Sequence, residues 1–232
     1  TRNDQTVSLS EKPFDAAQND TLKSLVRLAS RPAERRKSGL LVLEGLHLVD
    51  AWLARQPRLD QLFVREDALA HPEVTALLAR LSADTPVAVV PAALLGKASE
   101  LASPAEVIAL APIPVPAPYH GGSVLLLDDV QDPGNLGTLL RTAAAADVRR
   151  VYLSAGCADV WSGKALRAGM GAQFALDLHE RAAEHFHAAF AGRARLIVPR
   201  RAAAGDARVG VNGADDDVPR RRRRNGVGAW RC

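Results

Sequence analysis

The sequence predicts an α/β protein in two units, and three observations carry that expectation. Short apolar runs of strand length alternate with helical stretches from about residue 21 to residue 198. Halfway along, Ala111-Pro112-Ile113-Pro114-Val115-Pro116-Ala117-Pro118 places proline at every second position, which sustains neither a helix nor a central strand and favours an extended connector. At 232 residues the chain has room for one large domain or two smaller ones.

Taken in order, residues 1–20 are polar and aperiodic and read as a disordered lead-in. Leu22, Leu25, Val26 and Leu28 then mark a helix stopped at Arg31-Pro32. Arg35-Arg36-Lys37-Ser38-Gly39 reads as a basic loop and Leu40 to Leu43 as a strand, after which Glu44-Gly45 turns into a helix carrying Leu46, Val49 and Leu53. A strand from Leu59 to Val64, a helix opened by His71-Pro72-Glu73 and reaching Leu81, and a strand from Val87 to Val90 follow. A short helix over Pro91 to Lys97 and a strand from Val107 to Leu110 complete the first unit, residues 21–111, and residues 112–120 form the linker.

The second unit, residues 121–198, opens with Ser123 to Leu127, a continuous apolar run of the kind buried on both faces of a parallel sheet. It continues with a helix over Asn135 to Ala146, a strand over Val151 to Ser154 and a short helix over Lys164 to Met170. A strand from Phe174 to Leu178, a helix from Ala182 to Ala191 and a strand from Arg195 to Val198 end it. Residues 199–232 are mostly arginine, alanine, glycine, aspartate and valine without an apolar period, and read as an aberrant, unfolded tail.

Charge and cysteine usage exclude little by themselves. The net charge is +4, and Arg220 to Arg224 supply more than that whole excess, so global charge does not identify a nucleic-acid partner. Cys157 and Cys232 lie far apart in no metal-ligand spacing, which fits a reducing cytoplasm. His185-Phe186-His187 lacks a third ligand, so no metal is expected. No stretch approaches the roughly 20 apolar residues of a membrane span, so no membrane partner is expected.

The chemistry concentrates after Leu127. A buried strand ends in acidic residues, Asp132-Pro133-Gly134 makes a tight turn, and Asn135 is placed to cap the next helix. Leu136, Leu139, Leu140 and Ala143 form its buried stripe, Arg141 lies off that stripe, and Gly137, one turn earlier, is expected to leave open space before the guanidinium. An arginine held beyond the carboxyl ends of a parallel sheet suits a phosphate or carboxylate, although a plain surface arginine has the same pattern. Gly134 and Gly137 do not make G-x-G-x-x-G and no Walker lysine follows, which disfavours a nucleotide-binding Rossmann enzyme.

The run from Asp132 to Arg141, D-P-x-N-x-G-x-x-x-R, resembles the first motif of the SpoU (TrmH) RNA methyltransferases. Lys164 to Ala172, which follows Asp159, is similar to that family's K-x-x-R-A-s-x-G-A segment. Leu43 to Val49 and Ser103 to Ala109 resemble its small RNA-binding domain, so the likeness spans about residues 22–198. It implies a small N-terminal α/β RNA-binding domain and a C-terminal α/β-knot domain. The implied reaction is methyl transfer from S-adenosylmethionine to a ribose 2′-hydroxyl of ribosomal or transfer RNA, by a homodimer. It implies a catalytic Arg141, assisted by an RNA phosphate or acting by orientation and electrostatics, with Asn135 shaping the site or serving only as a cap. Arg35, Arg36, Lys37, Glu44, Lys164 and Arg167 are the RNA-binding candidates, a solvated face being the alternative for the last two.

One departure matters. The family's G-N-E-x-x-G, I-P and S-L-N-V-x-x-A stretches, which tie the knot and build the cofactor pocket and dimer face, do not follow Val198. The sequence therefore predicts a methyltransferase domain truncated or frameshifted after about residue 198, with no cofactor-binding residues assigned. It also predicts weak or absent S-adenosylmethionine binding, and a catalytically silent RNA-binding protein is the alternative function.

Overall fold

The computed structural model describes residues 16–182, apart from 57, 100, 102, 119 and 120. The first sheet contains β1 (Leu40–Glu44), β2 (Gln61–Arg65), β3 (Val87–Val90) and β4 (Val107–Pro112), in the order β1-β4-β2-β3. β4 runs antiparallel to both β1 and β2, and β2 runs parallel to β3. Successive side chains point to opposite faces, so Val42, Phe63, Ala88, Val90 and Ile108 share one face, which α1 (Ala16–Ser30) and α5 (Ala92–Leu95) cover with Leu22, Leu25, Leu28 and Leu95. On the other face Leu41, Leu43, Leu62 and Val64 pack with Val49 and Trp52 of α3 (Leu46–Leu53) and Val74 and Leu77 of α4 (Pro72–Leu78).

The second sheet is parallel throughout, in the order β5 (Val124–Leu127), β6 (Arg150–Leu153), β7 (Asp177–His179). The connections carry α6 (Pro133–Ala145) between β5 and β6 and α7 (Gly163–Gly169) between β6 and β7. The core is not divided at the proline segment, because the cluster around Leu41, Leu43 and Trp52 continues into Leu127, Leu136, Trp161 and Phe174. Trp52 and Phe174 meet edge to face across the seam, with centroids 5.2 Å apart. Gly171, at φ 73°, permits this approach, since a Cβ there would lie 2.9 Å from the Ala51 Cβ.

The alternation of strand and helix is borne out, and several boundaries move. α1 starts at Ala16, before the expected Thr21. The expected basic loop at Arg35 to Gly39 is instead α2 (Pro32–Ser38), with Pro32 fitting its first turn and Gly39, at φ 69°, closing it in the left-handed region. β4 absorbs Pro112, whose missing N–H is tolerated at the end of a strand. The remaining linker is tied down, because Ile113 N–H donates to Gly39 O (2.7 Å) and Ala117 N–H to Asp177 Oδ1 (2.9 Å), while Ala117 O accepts from Arg150. Phe174 lies in a 3₁₀ turn over 172–175, not in a strand, and β7 begins only at Asp177. The expected helix to Ala191, the strand at 195–198, His185-Phe186-His187, the knot and the tail lie outside the described residues. No described helix is long and apolar enough to cross a membrane.

Candidate functional site

The strand–turn–helix unit forms as its sequence dictates, with one reassignment. Asp132, in extended conformation before Pro133, is the N-cap of α6, and its Oδ1 accepts the backbone N–H of Asn135 at 2.8 Å. Asn135 is therefore not the cap; proline favours the first helical position, which makes the residue before it the cap. The Asp132 carboxyl is held below the ordinary carboxylate range, first by that N–H and then by a hydrogen bond from Lys164. Lys164 Nζ lies 3.2 Å from Asp132 Oδ2, with both side chains largely exposed.

α6 and α7 run side by side in the same sense, since Lys164 meets Asp132 at their starts and Met170 meets Arg141 further along. Gly137 makes this possible, because a Cβ there would lie 2.5 Å from Ala165 O and 2.7 Å from the Ala168 Cβ. Its space is thus filled by the backbone of α7 and does not lie open before Arg141, contrary to the expectation from spacing. Arg141 is exposed, and its guanidinium donates to the Met170 sulfur at 3.4 Å. Met170 ends α7 in the left-handed conformation (φ 52°) with 69% of its surface exposed. A soft thioether holds the guanidinium weakly, leaving it able to turn its remaining donors to an anion. Asn135 is also exposed, but six residues along a helix displace it about 9 Å from Arg141 along the axis, and it makes no hydrogen bond to it.

The other basic candidates do not form one patch. Arg36 and Lys37 are exposed on α2. Arg35 is 3% exposed, bonded to Asp159 and to the carbonyls of Leu28 and Ala29, so it is a buried cross-link and not a surface for RNA. Glu44 is likewise buried, accepting from Ser99 Oγ through Oε1 and from Arg167 at 2.9 Å through Oε2. Both corrections have one cause: the two halves of the chain pack against each other, with α7 against β1 and Arg35 of α2 reaching Asp159 across that seam. Asp132, Met170 and Asp159 were missed as contributors. For Asp132 the signal was present in Asp-Pro, whereas the other two depend on residues remote in sequence.

A cavity of about 250 Å³ beside Ser154, Cys157, Asp159 and Glu180 lies below the roughly 300–1,000 Å³ usual for ligand sites, and charged groups crowd it. There burial raises the Glu180 carboxyl above its ordinary range, and the nearby Asp159 charge adds to the effect.

Residues 122–203 match the SpoU rRNA Methylase family and residues 19–109 the MRM3-like substrate binding domain. The chain is 32% identical over 165 residues to the 23S rRNA (guanosine(2553)-2′-O)-methyltransferase RlmP of Bacillus subtilis, covering 70% of this chain and 62% of that one's length. It superposes on a crystal structure of an RNA 2′-O ribose methyltransferase with a TM-score of 0.62 at 27% identity, covering 77% of this chain and 69% of the other. An AdoMet-bound rRNA methyltransferase from Sinorhizobium meliloti superposes with a TM-score of 0.60 at 26% identity, over 75% of this chain and 66% of the other.

Proposed function

This chain belongs to the SpoU rRNA methylase family, and on that premise we propose that it transfers a methyl group from S-adenosylmethionine to a ribose 2′-hydroxyl of structured RNA, ribosomal before transfer RNA. The observation that carries the reading is Arg141, exposed on a rigid helix and held by a single thioether. A 2′-hydroxyl becomes nucleophilic as its proton leaves, and a guanidinium, protonated below about pH 12, is a poor acceptor for that proton. Arg141 therefore acts by holding the neighbouring phosphate and stabilising charge growing on the 2′-oxygen as its proton passes to solvent water. Arg36, Lys37 and Lys164 are placed for contacts to the RNA backbone, which favour cations whatever the sequence, and Asn135 shapes the start of α6.

S-adenosylmethionine would supply a methyl carbon made electrophilic by its sulfonium. The stretches that hold it in the family follow the position of Val198, so no described residue is assigned to it. A cytoplasmic homodimer completes the proposal on family resemblance alone. A second reading, a catalytically silent RNA-binding protein, is favoured by the missing G-N-E-x-x-G and S-L-N-V stretches after Val198.

The test is transfer of tritiated methyl from S-adenosylmethionine to bulk ribosomal RNA, scored as alkali-resistant dinucleotides. Arg141→Ala is expected to lower turnover by about 100-fold or more, the usual effect of removing one charge-stabilising donor. Unchanged turnover in that variant would sink the assignment of Arg141. Wild-type chain that binds RNA without transferring methyl would establish the second reading.

A further inference from the structure

A groove of about 880 Å³ opens along the seam beside Glu44 and Arg167 and ends at Met170, the residue that touches Arg141. Whatever occupies it lies next to the group that Arg141 faces. Three large apolar side chains are exposed among the described residues, and two of them, Leu101 (40%) and Met170 (69%), line this groove. Large apolar side chains gathered in a concave surface mark a place where a ligand excludes water.

The polar groups narrow the class of ligand. Glu44 and Arg167 neutralise each other at the floor. The Glu106 carboxylate lines the groove and forms no ion pair or hydrogen bond among the described residues, while its backbone carbonyl accepts from Arg65 N–H at 2.8 Å. An unpaired carboxylate repels a phosphate and accepts from an N–H. His47 adds an exposed aromatic ring to the same wall. Apolar side chains, one flat ring and a carboxylate acceptor suit a nucleobase taken out of its stack, whose faces pack and whose amino edge donates.

We propose that this groove holds one unpaired, amino-bearing nucleobase of the RNA, packed among His47, Leu101 and Met170 and donating to Glu106. The inference rests on RNA being the substrate, as proposed above. Bases paired inside an A-form helix cannot reach such a site, so the groove selects a nucleotide splayed from a loop.

The experiment uses the full chain and three fluorescein-labelled RNA probes, namely a hairpin with an adenosine loop, the same stem with a uridine loop, and a fully paired duplex of equal length. Fluorescence anisotropy is expected to show the adenosine loop bound more tightly than the other two. Leu101→Ser, which adds no charge, should weaken adenosine-loop binding by about tenfold or more, within the range that packing of one base contributes, and leave duplex binding unchanged. Glu106→Gln should abolish the preference for adenosine over uridine, since an amide both donates and accepts. Equal binding of all three probes by wild-type chain overturns the proposal, as does a loss below twofold in Leu101→Ser. Leu101 is exposed, and matching melting curves confirm that the variant is folded. A wild-type chain that binds none of the probes defeats the RNA reading itself; RNA binding indifferent to the groove variants defeats only this inference.

Discussion

The seam between the two halves of the chain carries an arginine–carboxylate pair at each end, and the two pairs differ in what surrounds them. At one end Arg35 is enclosed, reaching Asp159 with one side of its fork and the carbonyls of Leu28 and Ala29 with the other. At the other end Arg167 is partly exposed, and its pair with Glu44 forms the floor of an open groove. A saturated, buried guanidinium cannot change partners without leaving a carboxylate uncompensated, so the first pair locks the halves together. The second pair leaves neighbouring apolar and carboxylate groups in water, where a ligand can cover them. Ionic contacts of the same kind thus serve structure at one end and recognition at the other, and burial decides which.

Three variants test that contrast. Arg35→Met strands Asp159 and two carbonyls, and removing one partner of a buried pair costs about 3–5 kcal/mol. Urea unfolding of the whole chain should show that loss in a single transition, because the core is continuous across the seam; two separate transitions would show that the halves fold independently. Glu44→Gln keeps one acceptor oxygen, for Arg167, and turns an amide NH2 toward the Ser99 hydroxyl, which can accept from it, while the charge is lost; a smaller loss of about 1–3 kcal/mol is therefore expected by the same measurement. A loss equal to that of Arg35→Met would erase the distinction between the two ends.

The smallest effect is expected from Glu180→Gln, beside the enclosed pair. Burial, then Asp159, raise the Glu180 carboxyl in the folded chain. Its favourable contribution is therefore complete below the ordinary carboxyl range, near pH 4.3, and is lost as pH rises through the elevated folded value. The variant should be slightly more stable than wild type at pH 7, and the advantage should vanish toward pH 4, as followed by thermal melts. Trp161 Nε1, now 3.0 Å from Glu180 Oε2, retains an acceptor in the amide. A variant less stable at pH 7 would show that the carboxylate is satisfied where it lies.

Much of the local architecture was legible because local rules control it. β3 falls on Val87–Val90 as expected, and a helix follows β5 as expected, although α6 opens at Pro133 behind its Asp132 cap and not at Asn135. The misreadings arose where tertiary contacts override local pattern. Arg35-Arg36-Lys37 has the composition of a solvated basic loop, yet α2 turns its first arginine inward, since Asp159 waits on the second half of the chain. Gly137 faces the backbone of α7 and not open space, which the periodicity of one helix cannot reveal.

The sequence by itself determined the order of strands and helices, the place of α6 and the exposure of Arg141, all properties of neighbours within a few turns. Tertiary structure alone decided which charges are sealed and which line a groove. Arg35 meets a partner 124 residues away and Arg167 one 123 residues away, and such separations leave no local periodicity to read. A side chain's own segment sets the face it occupies, but only the packing of one half of the chain on the other sets what that face meets.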